Sequence, residues 1–122
     1  MARIVATGLG GVAPEVMGLG PIPATVQALA RSGLKVGDLD VIESNEAFAA
    51  QACAATKELE FDPSIVNSNG GAVALGHPIG ASGAVILLKL LYELKRVGGR
   101  FGLATMCVGG GQGISVIIEN LD

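Results

Sequence analysis

The stretch GGAVALGHPIGASG (residues 70–83) and the run AVILLKLLYELKRV that follows it (residues 84–97) decide the fold. Glycines interrupt the first part, which is typical of a loop between a strand and a helix. Apolar side chains occupy more than one face of the second part, which indicates a helix buried between two layers. Residues 65–67 (IVN), shortly before the glycines, predict a short strand.

Strand and helix patterns alternate on both sides of this stretch. The other predicted strands cover residues 3–7, 40–44, 101–107 and 114–118, and the other predicted helices cover residues 24–31 and 46–59. A short glycine loop at residues 108–113 predicts an antiparallel hairpin between the last two strands. The order βαβαβαββ predicts an α/β fold of three layers, α/β/α, with a five-stranded mixed sheet whose last strand is antiparallel.

Composition sets limits on the class of protein. The 122 residues suit one domain, and 50% hydrophobic with 16% charged residues indicates a folded chain. Nucleic-acid binding is not expected, because the net charge is −3, the eight Lys and Arg residues are scattered, and there is no Trp. The apolar runs stop short of the roughly 20 residues that a membrane span needs. One His and two Cys predict neither a metal site nor a disulfide framework, and we expect a reducing, cytoplasmic location.

Two glycine clusters could be mistaken for nucleotide loops. Residues 8–11 (GLGG) follow a predicted strand, but Pro14 and a long gap separate them from the next helix, unlike a dinucleotide-binding turn. Residues 70–83 lack the Lys-Ser/Thr ending of a phosphate loop. Neither cluster predicts nucleotide binding.

Four polar or reactive side chains are worth weighing. His77 lies in the glycine loop, where backbone can approach a ligand closely, although a lone loop His is more often structural. Cys107 ends a strand before a glycine turn whose N–H groups could bind an oxyanion, but a strand Cys is by default inert. Asn45 stands where an N-cap would be. Cys53, within an alanine-rich helix, predicts a small buried packing residue.

Three segments, taken in order, resemble the thiolase family: NEAFA (residues 45–49), the glycine stretch at residues 70–83, and CVGGGQG (residues 107–113). The segment MGLGP (residues 17–21) is also similar. The resemblance covers nearly the whole chain but only the second of the family's two similar halves. It implies that residues 1–122 are a thiolase C-terminal domain and that the half bearing the acylated nucleophile is missing.

The resemblance implies a thioester Claisen reaction, in which two acetyl-CoA form acetoacetyl-CoA and CoA, or its reversal on a 3-ketoacyl-CoA in fatty acid metabolism. His77 would activate the nucleophile of the other half, and Cys107 would be the acid/base for the α-proton. His77 and a water held by Asn45 would bind the enolate oxygen, and the Gly109 N–H would help bind the oxyanion at the acyl-enzyme. The positions that match the acyl pocket are Met17, Phe48 and Ile79. No cofactor is implied beyond the coenzyme A thioester substrate.

The favoured hypothesis is therefore the C-terminal domain of an acetyl-CoA acetyltransferase that is inactive as an isolated chain. The alternative is a binding or scaffold module, such as the small subunit of a split enzyme, which would not need the three reactive positions His77, Cys107 and Asn45. A ketoacyl synthase half is disfavoured because those relatives usually carry a second His where Cys107 stands. The expected partners are an acyl-CoA, the missing half, and a second copy that covers the excess apolar surface.

Overall fold

A computed structural model describes all of residues 1–122. Its helices and strands are β1 (Ala2–Gly11), a 3-10 helix (Pro14–Leu19), α1 (Pro21–Ser32), a 3-10 helix (Val36–Asp38), β2 (Val41–Ser44), α2 (Ala49–Glu58), a 3-10 helix (Pro63–Ile65), α3 (Ala72–Leu75), α4 (Ser82–Val97), β3 (Phe101–Val108) and β4 (Gln112–Asn120). The predicted alternation of strands and helices is confirmed.

One mixed sheet of four strands, in the order β1-β4-β3-β2, forms the centre of the domain. β2 pairs in parallel with β3, whereas β4 is antiparallel to both β3 and β1. β1, β2 and β3 therefore share one direction and β4 runs the opposite way. The predicted hairpin and the antiparallel last strand are confirmed.

The prediction of a fifth strand is wrong. Residues 65–67 contribute a single parallel bridge, between Val66 and Ile42. At the next position the side chain of Asn67 replaces a backbone partner: its Oδ1 accepts from the Ser44 N–H (2.9 Å), and its Nδ2 donates to the Ser44 carbonyl (2.8 Å). Asn67 has a positive φ of 48°, which turns the chain away from the sheet. A side-chain amide thus ends the pairing that a strand would have continued.

Helices cover both faces of the sheet, as the three-layer prediction requires. On one face α1 and the residues just after α2 pack against β2, β3 and β4, with a core of Ala28, Leu39, Ile42, Leu59, Phe61, Leu103 and Ile117. On the other face α4 packs against the same strands, with a core of Val41, Ile86, Leu90, Leu94, Ala104 and Ile118. The alternation of buried side chains along β2 and β3 separates the two cores.

Both long helices end within one residue of the predicted ranges. Gly33 and Gly98 follow α1 and α4 in left-handed conformations, with φ of 73° and 66°, which glycine adopts without steric cost. The start of α2 differs from the prediction, because the helix begins at Ala49 and Phe48 holds the cap position. Asn45 is therefore not an N-cap, and its side chain is available for another contact.

The glycines of residues 8–11 lie inside β1 rather than beyond its end. A Cβ added at Gly8 would stand 1.9 Å from the carbonyl oxygen of Ala24 in α1. The helix backbone therefore lies directly on the strand, at a distance that only glycine permits. This explains the glycine cluster without a nucleotide.

Two burial predictions differ from the structure. Cys53 is exposed, because α2 buries Gln51 and Ala55 on its inner side. α4 is buried only on its sheet-facing side, while Val85, Leu88 and Tyr92 are exposed on the other side. The chain thus leaves an apolar helix face open that the sequence pattern had placed between layers. No helix is both long and apolar enough to cross a bilayer.

Candidate active site

The candidate residues converge at the carboxyl ends of the parallel strands β2 and β3. Asn45 follows β2 directly, and its backbone N–H donates to the carbonyl of Thr105 in β3 over 2.9 Å. Cys107 lies two residues farther along β3. The ends of parallel strands are where α/β folds bind ligands, so Asn45 and Cys107 share a suitable edge of the sheet.

The glycine loop brings His77 to this edge. Its Nε2 lies 3.5 Å from the Nδ2 of Asn45. Asn45 is buried and His77 is half-buried, so the contact is partly shielded from water. The separation is long for a hydrogen bond, and an oxygen of a small ligand could be contacted by both groups.

The other ring nitrogen of His77 is held by Ser82, the first residue of α4. Nδ1 lies 2.6 Å from the Ser82 Oγ, and this hydroxyl lies 3.0 Å from the Pro78 carbonyl. The Ser82 hydroxyl directs its proton at the Pro78 carbonyl and can only accept from the ring, so the hydrogen-bond pattern assigns the imidazole proton to Nδ1 and the lone pair to Nε2. Nδ1–H then donates to Ser82, and Ser82 donates to Pro78. A neutral His77 in this tautomer can accept a proton at Nε2.

Cys107 is buried at the end of β3. Burial raises the pKa of its thiol, because a thiolate is poorly solvated there. The group therefore keeps its proton at neutral pH, which suits a proton donor better than a free nucleophile. The structure places Cys107 at the same sheet edge as Asn45 and His77, but no hydrogen bond joins the thiol to either side chain.

The turn between β3 and β4 supplies a backbone donor. The Gly109 N–H makes no hydrogen bond within the chain, and the residue is exposed with open space beside its Cα. The Gly109 carbonyl, which belongs to the following peptide unit, accepts from the Gln112 side-chain amide over 3.0 Å. Gly110 and Gly111 have positive φ values of 80° and 86° and complete the turn. An N–H without a partner in the chain is the feature that oxyanion binding needs.

None of the three predicted pocket residues is buried in this chain. Met17 is half-buried in the first 3-10 helix. Phe48 and Ile79 are 63% and 84% exposed, although both are large and apolar. Exposed apolar side chains next to polar reactive groups mark a surface that a ligand or another part of a protein covers.

Charged side chains behind the site were not singled out by the sequence. Glu43 is buried in β2 and pairs over 2.7 Å with Lys89 of α4, which also donates to the Gly70 carbonyl. Burial raises the pKa of the Glu43 carboxyl, and the Lys89 ammonium opposes that rise. The sequence did contain a signal for this pair: Glu43 in β2 and Lys89 in α4 are charged residues within largely apolar segments. Asp, Glu, His and Cys form no group of three or more that could hold a metal ion.

Ser82 and Glu46 were also missed as individual residues, although both lie within segments that were quoted as motifs. Ser82 stands five residues after His77, a spacing that places it on the first turn of α4. Glu46 is adjacent to Asn45 and binds across to α3. Their significance depends on contacts between segments, which spacing in the chain alone does not show.

The fold and site define an α/β domain whose polar groups suit proton transfer and oxyanion binding. A family model described as the thiolase C-terminal domain matches residues 1–120. The chain therefore belongs to the thiolase family, as its C-terminal domain.

Curated relatives agree with this assignment. The chain is 64% identical to an acetyl-CoA acetyltransferase of Shinella zoogloeoides over 121 residues, which is 99% of this chain and 31% of that protein. It is 62% identical to a beta-ketothiolase of Cupriavidus necator, with the same coverage. The chain thus spans about a third of the length of these relatives.

Solved structures share the fold over the same extent. The human mitochondrial 3-ketoacyl-CoA thiolase superposes with a TM-score of 0.97 at 49% identity, covering 99% of this chain and 31% of the human protein. A structure of that human thiolase in complex with CoA gives a TM-score of 0.96 at 50% identity, covering 98% of this chain and 30% of that one. The Bacillus anthracis acetyl-CoA acetyltransferase gives a TM-score of 0.97 at 50% identity, covering 99% of this chain and 31% of that one.

Proposed function

We propose that this chain is the C-terminal catalytic domain of an acetyl-CoA C-acetyltransferase, which condenses two acetyl-CoA or cleaves a 3-ketoacyl-CoA with CoA. The observation that carries the proposal is the orientation of His77, whose Nε2 lone pair faces Asn45 while Ser82 holds Nδ1. Family membership and the names of the relatives support the reaction class.

In this proposal His77 accepts the proton of a nucleophilic thiol supplied by the remaining part of the enzyme. Nε2 is the available base in the tautomer that the hydrogen bonds assign. Removing the thiol proton produces the thiolate that attacks the first acyl-CoA and releases CoA. The Ser82 hydroxyl stabilises the resulting imidazolium by accepting from Nδ1–H.

Cys107 then acts as the acid/base for the α-carbon of the second acyl-CoA. Its raised thiol pKa means that it is protonated in the resting enzyme, ready to donate in the cleavage direction. In the condensation direction its thiolate must form transiently, next to the substrate, to remove the α-proton. The weak acidity of both the thiol and the α-carbon makes the proton transfer between them closer to balanced.

Two sets of donors would stabilise the oxyanions of the reaction. Asn45 holds a water that, together with the Nε2–H that His77 acquires from the thiol, binds the enolate oxygen of the second acyl group. The unused Gly109 N–H contributes to the second site, at the carbonyl of the acyl-enzyme. Met17, Phe48 and Ile79 line the acyl pocket once the rest of the enzyme covers them, and no cofactor is needed beyond the CoA thioester.

The isolated chain is expected to be inactive, because the proposed nucleophile is not one of its own cysteines. Cys53 is exposed on the outer side of α2, and Cys107 has the other role. The open apolar face of α4 (Val85, Leu88 and Tyr92) would be covered by the remaining part of the enzyme, or by self-association when the chain is alone.

The test is to join this chain to the part of the Shinella zoogloeoides acetyl-CoA acetyltransferase that it does not match, and to assay thiolysis of acetoacetyl-CoA. The proposal predicts activity in the chimera, none in the chain alone, and loss of activity with His77→Ala. Cys53→Ser should retain full activity. A folded chimera with no activity would contradict the proposal and favour a binding or scaffold module, and turnover by the chain alone would refute the assignment of the nucleophile.

A further inference from the structure

The loop that carries His77 is not attached to the sheet by its backbone. Every backbone hydrogen bond of residues 70–81 joins residues at most four apart in the chain. Most of these residues are exposed, and a cavity of about 20 Å³ lies where the loop meets β2 and α4. The position of the loop relative to Asn45 therefore depends on side-chain contacts.

Glu46 provides a contact that joins this loop to the segment of Asn45. Its Oε2 accepts from the Val73 N–H over 2.9 Å, and its Oε1 accepts from the Asn67 Nδ2 over 3.0 Å. Glu46 is adjacent to Asn45 in the chain, and Val73 lies four residues before His77. A single carboxylate thus connects the segment of Asn45 to the segment of His77, using hydrogen bonds that are strengthened by its charge.

The Glu46 carboxylate fits against the loop only because residue 71 is glycine. A Cβ added at Gly71 would lie 2.2 Å from the Glu46 Cδ and 2.3 Å from its Oε2. The carboxylate therefore rests directly against the loop backbone, and any side chain at position 71 would push it away.

We propose that Glu46 is a positioning residue, which sets the separation between Asn45 Nδ2 and His77 Nε2 and hence the geometry of the enolate site. The inference rests on the proposed function, since it concerns the site that binds the enolate. Lys89 holds the start of the same loop at Gly70, whereas Glu46 holds it at Val73, nearer to His77. Losing the Glu46 contact lets the loop move without disturbing either core, because neither core includes loop residues.

The test uses Glu46→Gln and Gly71→Ala, two independent changes to one contact, in the chimera described above. Each should lower kcat for thiolysis by about tenfold or more while KM changes less than about twofold, since small misplacements of reacting groups cost this much. In an Asn45→Ala background, Glu46→Gln should cost less than about twofold further, because the separation that it sets no longer matters.

A matched control pair exists far from the site. Asp40 accepts from the N–H groups of Arg100 (2.7 Å) and Phe101 (3.0 Å), and a Cβ at Gly99 would lie 2.7 Å from its own Cβ. Asp40→Asn and Gly99→Ala should lower stability and leave kcat unchanged. Equal losses of kcat from both pairs, or an undiminished Glu46→Gln effect in the Asn45→Ala background, would overturn the inference.

A structural measurement tests the inference independently of activity. A crystal structure of the Glu46→Gln chimera should show His77 Nε2 displaced from Asn45 Nδ2, beyond the 3.5 Å of the unmodified chain. An unchanged separation would overturn the positioning role even in an inactive chimera. An inactive unmodified chimera with a displaced His77 in the variant would instead contradict only the proposed function.

Discussion

Ser82 Oγ lies 2.6 Å from His77 Nδ1, at the point where the glycine loop becomes α4. Ser82 is buried, and its hydroxyl also contacts the Pro78 carbonyl within the same loop. The serine thus fixes both the ring orientation and the tautomer of the only histidine in the chain.

Ser82→Ala should lower kcat of the chimera by about tenfold or more, because His77 loses the partner that orients it and stabilises its imidazolium. KM should change little. Ser32→Ala is the control, since the Ser32 hydroxyl also contacts a backbone carbonyl, that of Leu29, at the end of α1. A Ser82→Ala chimera with full kcat would show that the tautomer does not depend on this contact.

The two cysteines should react very differently with a thiol reagent. Cys53 is exposed, whereas Cys107 is buried and has a raised thiol pKa. At pH 7 iodoacetamide should label Cys53 first, and labelling of Cys107 should rise with pH as its thiolate forms. Mass spectrometry of tryptic peptides measures both rates. Rapid labelling of Cys107 in a Cys53→Ser chain at pH 7 would contradict the proposed protonation state.

Lys89→Met should destabilise the chain by about 3 kcal/mol or more, because it leaves the buried Glu43 carboxylate without its cation. Adding Glu43→Gln should recover part of this loss. Lys95→Met should cost much less, because Lys95, on the same helix, pairs with Asp122 in an exposed position. Urea unfolding measures all three, and equal costs for Lys89→Met and Lys95→Met would argue against a buried pair.

Stability should fall in acid partly through Glu93. Hydrogen bonds from Arg96 and Asn69 lower the pKa of this carboxyl to about 2 from the ordinary 4.5. A lowered pKa in the folded state means that the stabilisation is complete above pH 4.5 and is lost as the pH falls towards 2. Unfolding free energies between pH 5 and pH 2 should therefore depend less steeply on pH in Glu93→Gln. An unchanged slope would show that these hydrogen bonds do not favour the charged form.

The sequence predicts well the features that depend on local pattern. The hairpin of β3 and β4 follows from its glycine turn, and Gly33 and Gly98 end their helices because only glycine adopts the left-handed cap at no cost. The three motif segments also predict which residues gather at the sheet edge. Asn45 and His77 do come together, although 32 residues separate them in the chain.

The predictions that failed depend on competition between segments. The Asn67 side chain replaces the fifth strand. It completes the backbone hydrogen bonds of Ser44 with one residue, where a strand would need several. Asn45 is not a cap because α2 begins later, at Ala49. The apolar pattern of α4 predicts burial on two sides, but one of those sides has no partner within residues 1–122.

The central claim is that His77 activates the nucleophile and that Cys107 removes or donates the α-proton. Mass spectrometry of the chimera after incubation with acetyl-CoA tests it most directly. Cys107→Ala should still form the acetyl-enzyme but should not turn over, whereas His77→Ala should remain largely unacetylated. Rapid acetylation of His77→Ala, or normal turnover of Cys107→Ala, would contradict the roles assigned to these residues.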